Sequence, residues 1–238
     1  MTMTEHTAKA FDSDLQELTR KVSEMGGLAE REIADSIQAL TRRDTELAMR
    51  VVATDPSIDI LQQQIEEKAI LTIAKRQPMA VDLREIVAAL RVANDLERIG
   101  DLAKNIGKRV SALDGDFNPN KLLRGVEHMA SLVLAQLKQV LDAYASRDLE
   151  AAIAVWKGDE QIDAMCTSLF RELLTYMMED PRNITFCIHL MFCAKNIERM
   201  GDHATNIAET VHYMVEGRPM GDQRPKGDTT AFAKLAAT

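Results

Sequence analysis

The chain has 238 residues, 46% of them apolar and only 4% aromatic, with a formal charge of -8 at neutral pH. That length and apolar content suffice to bury a core, as one elongated domain or two small ones. An acidic balance without a Lys/Arg cluster excludes a generic nucleic-acid binder, whose affinity comes from basic residues facing phosphates.

Scarce aromatics, low Gly and abundant Met, Leu, Ala, Ile and Glu favour helices packed on helices. Met1 to Lys9 contains no apolar run of the signal-peptide kind, and no stretch reaches the about 18 apolar residues of a spanning helix, so a soluble, cytoplasmic protein is expected. Asp12 or Ser13 is expected to open a first helix reaching about Thr41. Asp44 caps a second to about Arg76, and a third runs from Ala80 to Val110. Asn118-Pro119 opens the fourth, Asp148 caps the fifth, and Pro181 followed by Asn183 opens the sixth, which ends near Gly217-Arg218-Pro219. Apolar residues recur at helical spacing throughout, as in Leu47, Val51, Ile58, Leu61 and Ile65. Asp55-Pro56 interrupts the second helix, where the missing N–H either kinks it or restarts it with Asp55 as cap. Short loops make neighbouring helices antiparallel, so each half is an up-down-up three-helix bundle. The expected fold is all-α, two tandem pseudo-symmetric three-helix bundles over 11–111 and 119–215, followed by a polar, Gly- and Pro-containing tail over 216–238 expected to be flexible. Cys166, Cys187 and Cys193 lack CxxC spacing and are expected to be small buried hydrophobes.

The two halves are copies. Met25, Arg43, Asp44, Asp55, Ile58 and Asp59 recur as Met129, Arg147, Asp148, Asp159, Ile162 and Asp163 at a constant offset of 104. Beyond Pro78 and Pro181 the offset is 101, so Glu97, Asp101 and Asn105 fall on Glu198, Asp202 and Asn206. The three-residue difference lies in the connecting loop, where length changes are tolerated.

Asn94-Asp95-Leu96-Glu97-Arg98-Ile99-Gly100-Asp101 and its partner Asn196-Ile197-Glu198-Arg199-Met200-Gly201-Asp202 carry the chemistry. Glu97, Asp101 and Asn105 stand four apart, so three oxygen-bearing side chains lie along one helical stripe. The opposite side, Leu96, Ile99, Ala103, Ile106 and Val110, is apolar, which makes this an inner helix. Counted from Pro78, Asp59 and Glu97 are each 19 residues away and Asp55 and Asp101 each 23, which sets both pairs at equal heights on neighbouring helices. Counted from Pro181, Asp163 and Glu198 are 18 and 17 away, and Asp159 and Asp202 are 22 and 21. Four carboxylates so placed repel unless a cation or protons neutralise them, and oxygen donors suit Mg²⁺, Mn²⁺, Fe or Ca²⁺. The candidate metal ligands are therefore Glu97, Asp101, Asp55, Asp59 and Asn105 in the first half and Glu198, Asp202, Asp159, Asp163 and Asn206 in the second. Arg98 and Arg199 offer an internal alternative as counter-ions, and His203 is a weaker candidate ligand because Leu102 occupies its place in the first half. Gly100 and Gly201 in mid-helix signal a close helix approach or room for an ion or partner.

These features together, with the segments His6 to Leu15 (HTAKAFDSDL), Met25-Gly26-Gly27-Leu28-Ala29-Glu30 and Gln77 to Arg84 (QPMAVDLR), closely resemble the PhoU family of bacterial phosphate transport regulatory proteins over roughly residues 5 to 215. The resemblance implies two three-helix bundles related by a pseudo-twofold, with the family's acidic motif on Glu97 to Asp101 and Glu198 to Asp202. It further implies a cytoplasmic, non-enzymatic negative regulator of the phosphate-starvation response. Such a protein bridges the ATPase subunit of an ABC phosphate transporter and a sensor histidine kinase, meeting the membrane only through these partners. Some members hold multinuclear iron, zinc or manganese centres at the acidic motifs, and others hold none, so a divalent or ferric metal (Fe, Zn, Mn or Mg) is the expected cofactor and a homodimer the expected assembly. Pro56 and the tail after Gly217 depart from the family pattern. Carboxylate clusters alone also suit a metal-dependent enzyme or metal-storage bundle, although no general base stands out in the sequence. A helical adaptor with mere surface charge is the third alternative.

Overall fold

A computed structural model describes residues 3–110, 112–113 and 120–221. Its α-helices are α1 Met3–Arg42, α2 Thr45–Thr54, α3 Pro56–Arg76, α4 Val81–Val110, α5 Asn120–Ser146, α6 Leu149–Glu179 and α7 Ile184–Glu216. Six long rods result, because Asp55 keeps right-handed helical dihedrals (φ -46°, ψ -41°) and joins α2 to α3. The described residues contain no strand.

The duplication is visible in the turns. Arg43 and Arg147 adopt left-handed backbone (φ 55° and 58°). The next residues, Asp44 and Asp148, accept hydrogen bonds from Leu47 N at 2.9 Å and Ala151 N at 3.0 Å, capping α2 and α6 as expected. Three boundaries differ from expectation. The helix expected to open at Asp12 or Ser13 begins at Met3, because nothing in Glu5 to Ala10 stops a helix and intrinsic cap preference yields to good helix formers. Pro56 does restart a helix, yet Asp55 makes no side-chain cap, since its carboxylate is used elsewhere. Pro181–Asn183 forms a 3-10 turn, capped by the Asp180 carboxylate on Arg182 N at 3.0 Å, so α7 starts at Ile184 and stops at Gly217 (φ 75°). The Asn118-Pro119 opening, Ser111 and the tail from 222 lie outside the described residues.

In the inner four-helix ring, α1 packs on α4 and α5, and α7 packs on α4 and α5. Helices α2 and α3 cover the α1–α4 flank, and α6 covers the α5–α7 flank. One apolar core runs through both halves, and Cys166, Cys187 and Cys193 are buried in it as free thiols. Along the α4–α7 seam the Arg91 guanidinium lies 5.0 Å from the Tyr213 ring centre, Arg109 lies 4.2 Å from that of Phe192, and Asp95 meets His203. Contacts that rise along α4 as they fall along α7 make the pair antiparallel, and equivalent residues reach the same level at Gly100 and Gly201. Both acidic motifs therefore lie at mid-height, on helices that stand side by side.

The two glycines mark close approach. A Cβ on Gly100 would stand 2.8 Å from Ile58 Cδ1, and one on Gly201 would stand 3.1 Å from the equivalent Ile162 Cδ1. Ile58 and Ile162 are fully buried, so neither can move without disturbing the core. Gly100→Ala is expected to destabilise by about 1–3 kcal/mol through overpacking. Gly27→Ala, where a Cβ on α1 meets nothing within 4 Å, is expected to stabilise by about 0.5–1 kcal/mol through helix propensity. Urea unfolding of the two variants beside the parent checks both signs.

Candidate functional site

Glu97 and Asp101 sit half-buried on the flank of α4, where its packed face (Leu96, Ile99, Ala103, Ile106) gives way to solvent, while Asn105 one turn on is exposed. Asp55 is buried at the α2–α3 junction and faces α4. Asp55 and Asp101 meet at the same height, as the spacing from the turn implies, but they meet through an ammonium. Lys104 Nζ lies 2.7 Å from Asp55 Oδ2 and 2.5 Å from Asp101 Oδ1. Arg98 adds looser ion pairs with Glu97 (3.4 Å) and Asp101 (3.6 Å). Asp59 is exposed beside them.

Burial pushes the Glu97 carboxyl above its ordinary range, and the negative charges of Asp101 and Asp59 add to the push. Asp101 goes the other way. Burial again works against its charge, but the Lys104 hydrogen bond and charge overcome it and hold Asp101 low. Lys104 is raised because its two carboxylate partners outweigh the burial that would discharge it. A further acid comes from α1: Glu32 is buried, and one of its oxygens, Oε2, makes no hydrogen bond.

The second half is built from the same positions with different chemistry. Asp159 and Asp163 are both buried, Glu198 is buried and Asp202 is half-buried. Thr205 stands where the first half has Lys104, and its hydroxyl lies 3.1 Å from both Asp159 Oδ1 and the Gly201 carbonyl. Gln136 stands where the first half has Glu32. The cation here is Lys195, on the other side of the motif, donating to Glu198 Oε1 at 2.7 Å, while Glu198 Oε2 is buried without a hydrogen bond. Burial raises the Glu198 carboxyl against the Lys195 bond, with Asp202 and Asp163 adding to the rise.

Two expected ligands belong elsewhere. Asn206 Nδ2 reaches Asp95 Oδ1 across the α4–α7 seam at 3.4 Å, and His203 Nδ1 reaches the same oxygen at 2.8 Å. Both serve the packing of the two halves, because a buried Asp95 needs partners. Asn105 faces solvent. Among the described residues no group of three or more His, Cys, Asp and Glu side chains is arranged to hold a metal ion. In the first half the donor set is already spent on an ammonium, and in the second Glu198 is turned to Lys195.

Sequence reasoning missed Glu32, Lys104, Gln136, Lys195, Thr205 and Asp95. Two of these had a signal. Lys104 follows Asp101 by three, a helix-neighbour spacing. Glu32 occupies an inward slot in the series Leu18, Val22, Met25, Ala29, Ser36, where a charged residue is out of place.

Glu32 gives the site a pH dependence. Burial first, then the charges of Asp55 and Asp59, push its carboxyl from the ordinary 4.5 up to about 7, with a Thr54 hydrogen bond and the Lys104 charge pulling back. A carboxyl raised on folding binds its proton more tightly in the folded state, so it costs stability as pH rises from about 4.5 to about 7 and little changes above. Glu32→Gln, which copies Gln136, is expected to exceed the parent in stability at pH 8 and to match it more closely at pH 5. Urea unfolding at the two pH values checks this, and a stability difference independent of pH would contradict it.

The PhoU domain family model matches residues 22–110 and 126–211, one match in each half and each containing an acidic motif. The chain is 61% identical over 226 residues to the phosphate-specific transport system accessory protein PhoU homolog of Rhizobium meliloti (strain 1021), covering 95% of both chains. It is 54% identical over 226 residues to the protein of the same description from Caulobacter vibrioides (strain NA1000 / CB15N), covering 95% of this chain and 98% of the relative. The crystal structure of PhoU from Pseudomonas aeruginosa superimposes with a TM-score of 0.82 at 36% identity, covering 87% of this chain and 100% of that one. The phosphate transport system regulatory protein PhoU from Streptococcus pneumoniae gives a TM-score of 0.82 at 28% identity, covering 88% and 99%. Duplicated helical halves, a paired acidic motif at mid-height and matches that span both halves lead to one conclusion: the chain belongs to the PhoU family.

Proposed function

We propose that the chain is a regulatory accessory protein of a phosphate-specific transport system, a cytoplasmic and non-catalytic adaptor. In this role it holds the phosphate-starvation response off when phosphate is plentiful, by linking the ATPase subunit of an ABC phosphate transporter to a membrane sensor histidine kinase. The observation that carries the proposal is the 61% identity, over 95% of both chains, to a relative described as such an accessory protein.

The site chemistry supports an adaptor. Helices α4 and α7 stand side by side, so the two acidic motifs offer one mid-height surface with Asp59, Asp101 and Asp202 accessible at its flanks. Carboxylates so placed recognise Arg or Lys on a partner through charge-assisted hydrogen bonds. Solvent-facing apolar side chains toward the α6–α7 turn, Leu174, Met178, Ile184, Ile188 and Phe192, add the apolar contact that a protein partner needs. No helix among the described residues is long and apolar enough to cross a membrane, so contact with the bilayer is assigned to the partners.

Deletion of the gene in its host, read with a phosphate-starvation promoter reporter in high phosphate, is expected to switch the reporter on, and the parent gene is expected to switch it off again. Glu97→Gln/Asp101→Asn, checked by circular dichroism for native helix content, is expected to leave the reporter on. A reporter that stays silent after deletion would sink the regulatory role, and full repression by the folded variant would remove the acidic motif from it.

A further inference from the structure

We infer that Lys104 is the first cluster's own cation, a tethered ammonium that takes the place of a metal ion, so that the two acidic motifs of this chain are not equivalent binding sites. Lys104 Nζ is within hydrogen-bond distance of carboxylates from two different helices, Asp55 of the α2–α3 junction and Asp101 of α4. An added metal ion would draw on the same oxygens. The side chain of Asp55 is only 8% exposed, so its charge has little access to water and the ammonium is its main source of neutralisation.

The second half has no lysine at this position. At the equivalent position Thr205 supplies only a hydroxyl to Asp159. The change is paired with another across the helix packing: Glu32 lies near enough to feel the Lys104 charge, and its equivalent Gln136 is neutral. At these two positions an acid and a lysine are present together in the first half, and neither is present in the second. A covalently held ammonium is always at high local concentration, which a free ion at micromolar levels cannot match without many more ligands. In the second half two buried oxygens, Glu198 Oε2 and Gln136 Oε1, make no hydrogen bond, and Gln136 stands beside Gly201, one residue from Asp202. None of this depends on which partners the chain serves.

The test is Mn²⁺ stoichiometry, from isothermal titration and from elemental analysis after gel filtration, on the full chain stripped with chelator. Lys104→Thr removes the ammonium, and Glu32→Gln/Lys104→Thr gives the first half the residues of the second at these two positions while keeping the charge balance should the single variant fold poorly. Each is expected to bind about one Mn²⁺ per chain more than the parent, and adding Asp101→Asn is expected to abolish the gain. Parent stoichiometry in the folded double variant overturns the inference, as does extra Mn²⁺ that survives Asp101→Asn.

Discussion

Helices α4 and α7 are buried on two sides, and the rest of the molecule is arranged around that constraint. Each must pack against its own half and against the other, which leaves only a narrow stripe for polar side chains. Gly100 and Gly201 let α3 and α6 come close enough for Ile58 and Ile162 to fill the seams. Close approach brings the carboxylates of Asp55 and Asp159 into partly dry seams beside the motif acids. The acidic sites are therefore a consequence of helix packing at one level, the level where the antiparallel α4–α7 pair brings equivalent residues together.

Carboxylates held that way raise an electrostatic difficulty, since like charges in a low dielectric repel over several ångströms. The two halves resolve it differently. In the first, an ammonium from the same helix bonds to two of the acids, and one buried acid, Glu32, is pushed toward neutrality at physiological pH. In the second, hydroxyl and amide groups replace the Lys–Glu combination and the cation moves to Lys195, outside the seam. The two halves thus meet the same electrostatic difficulty with different chemistry within one backbone geometry.

That difference sets two unlike acidic sites on one scaffold. The two sites differ in charge balance although they stand at one level on neighbouring helices. The seam between the halves is itself held by polar contacts, Asp95 with His203 and Asn206, and by Arg91 and Arg109 stacked on Tyr213 and Phe192. These contacts couple the halves, because they cross from one acidic helix to the other.

The sequence by itself determined the helices, the duplication and the height of the acids. The 3.6-residue period of apolar side chains, the Asp44 and Asp148 caps and the constant offsets are local or arithmetic properties, and they survive folding unchanged. The levels of Asp55 and Asp101 followed from counting along two rods of equal rise per residue. Facing did not follow, because a helix can rotate about its axis at little cost to its periodicity. Only tertiary packing turned Asp55 and Asp159 inward, left Asp59 and Asn105 in water, and swung Asn206 and His203 across the seam to Asp95. Only packing brought Glu32 of α1 and Lys104 of α4 into one cluster, since long side chains from separate helices find their partners by the desolvation of the space between them, which no spacing rule along one chain encodes.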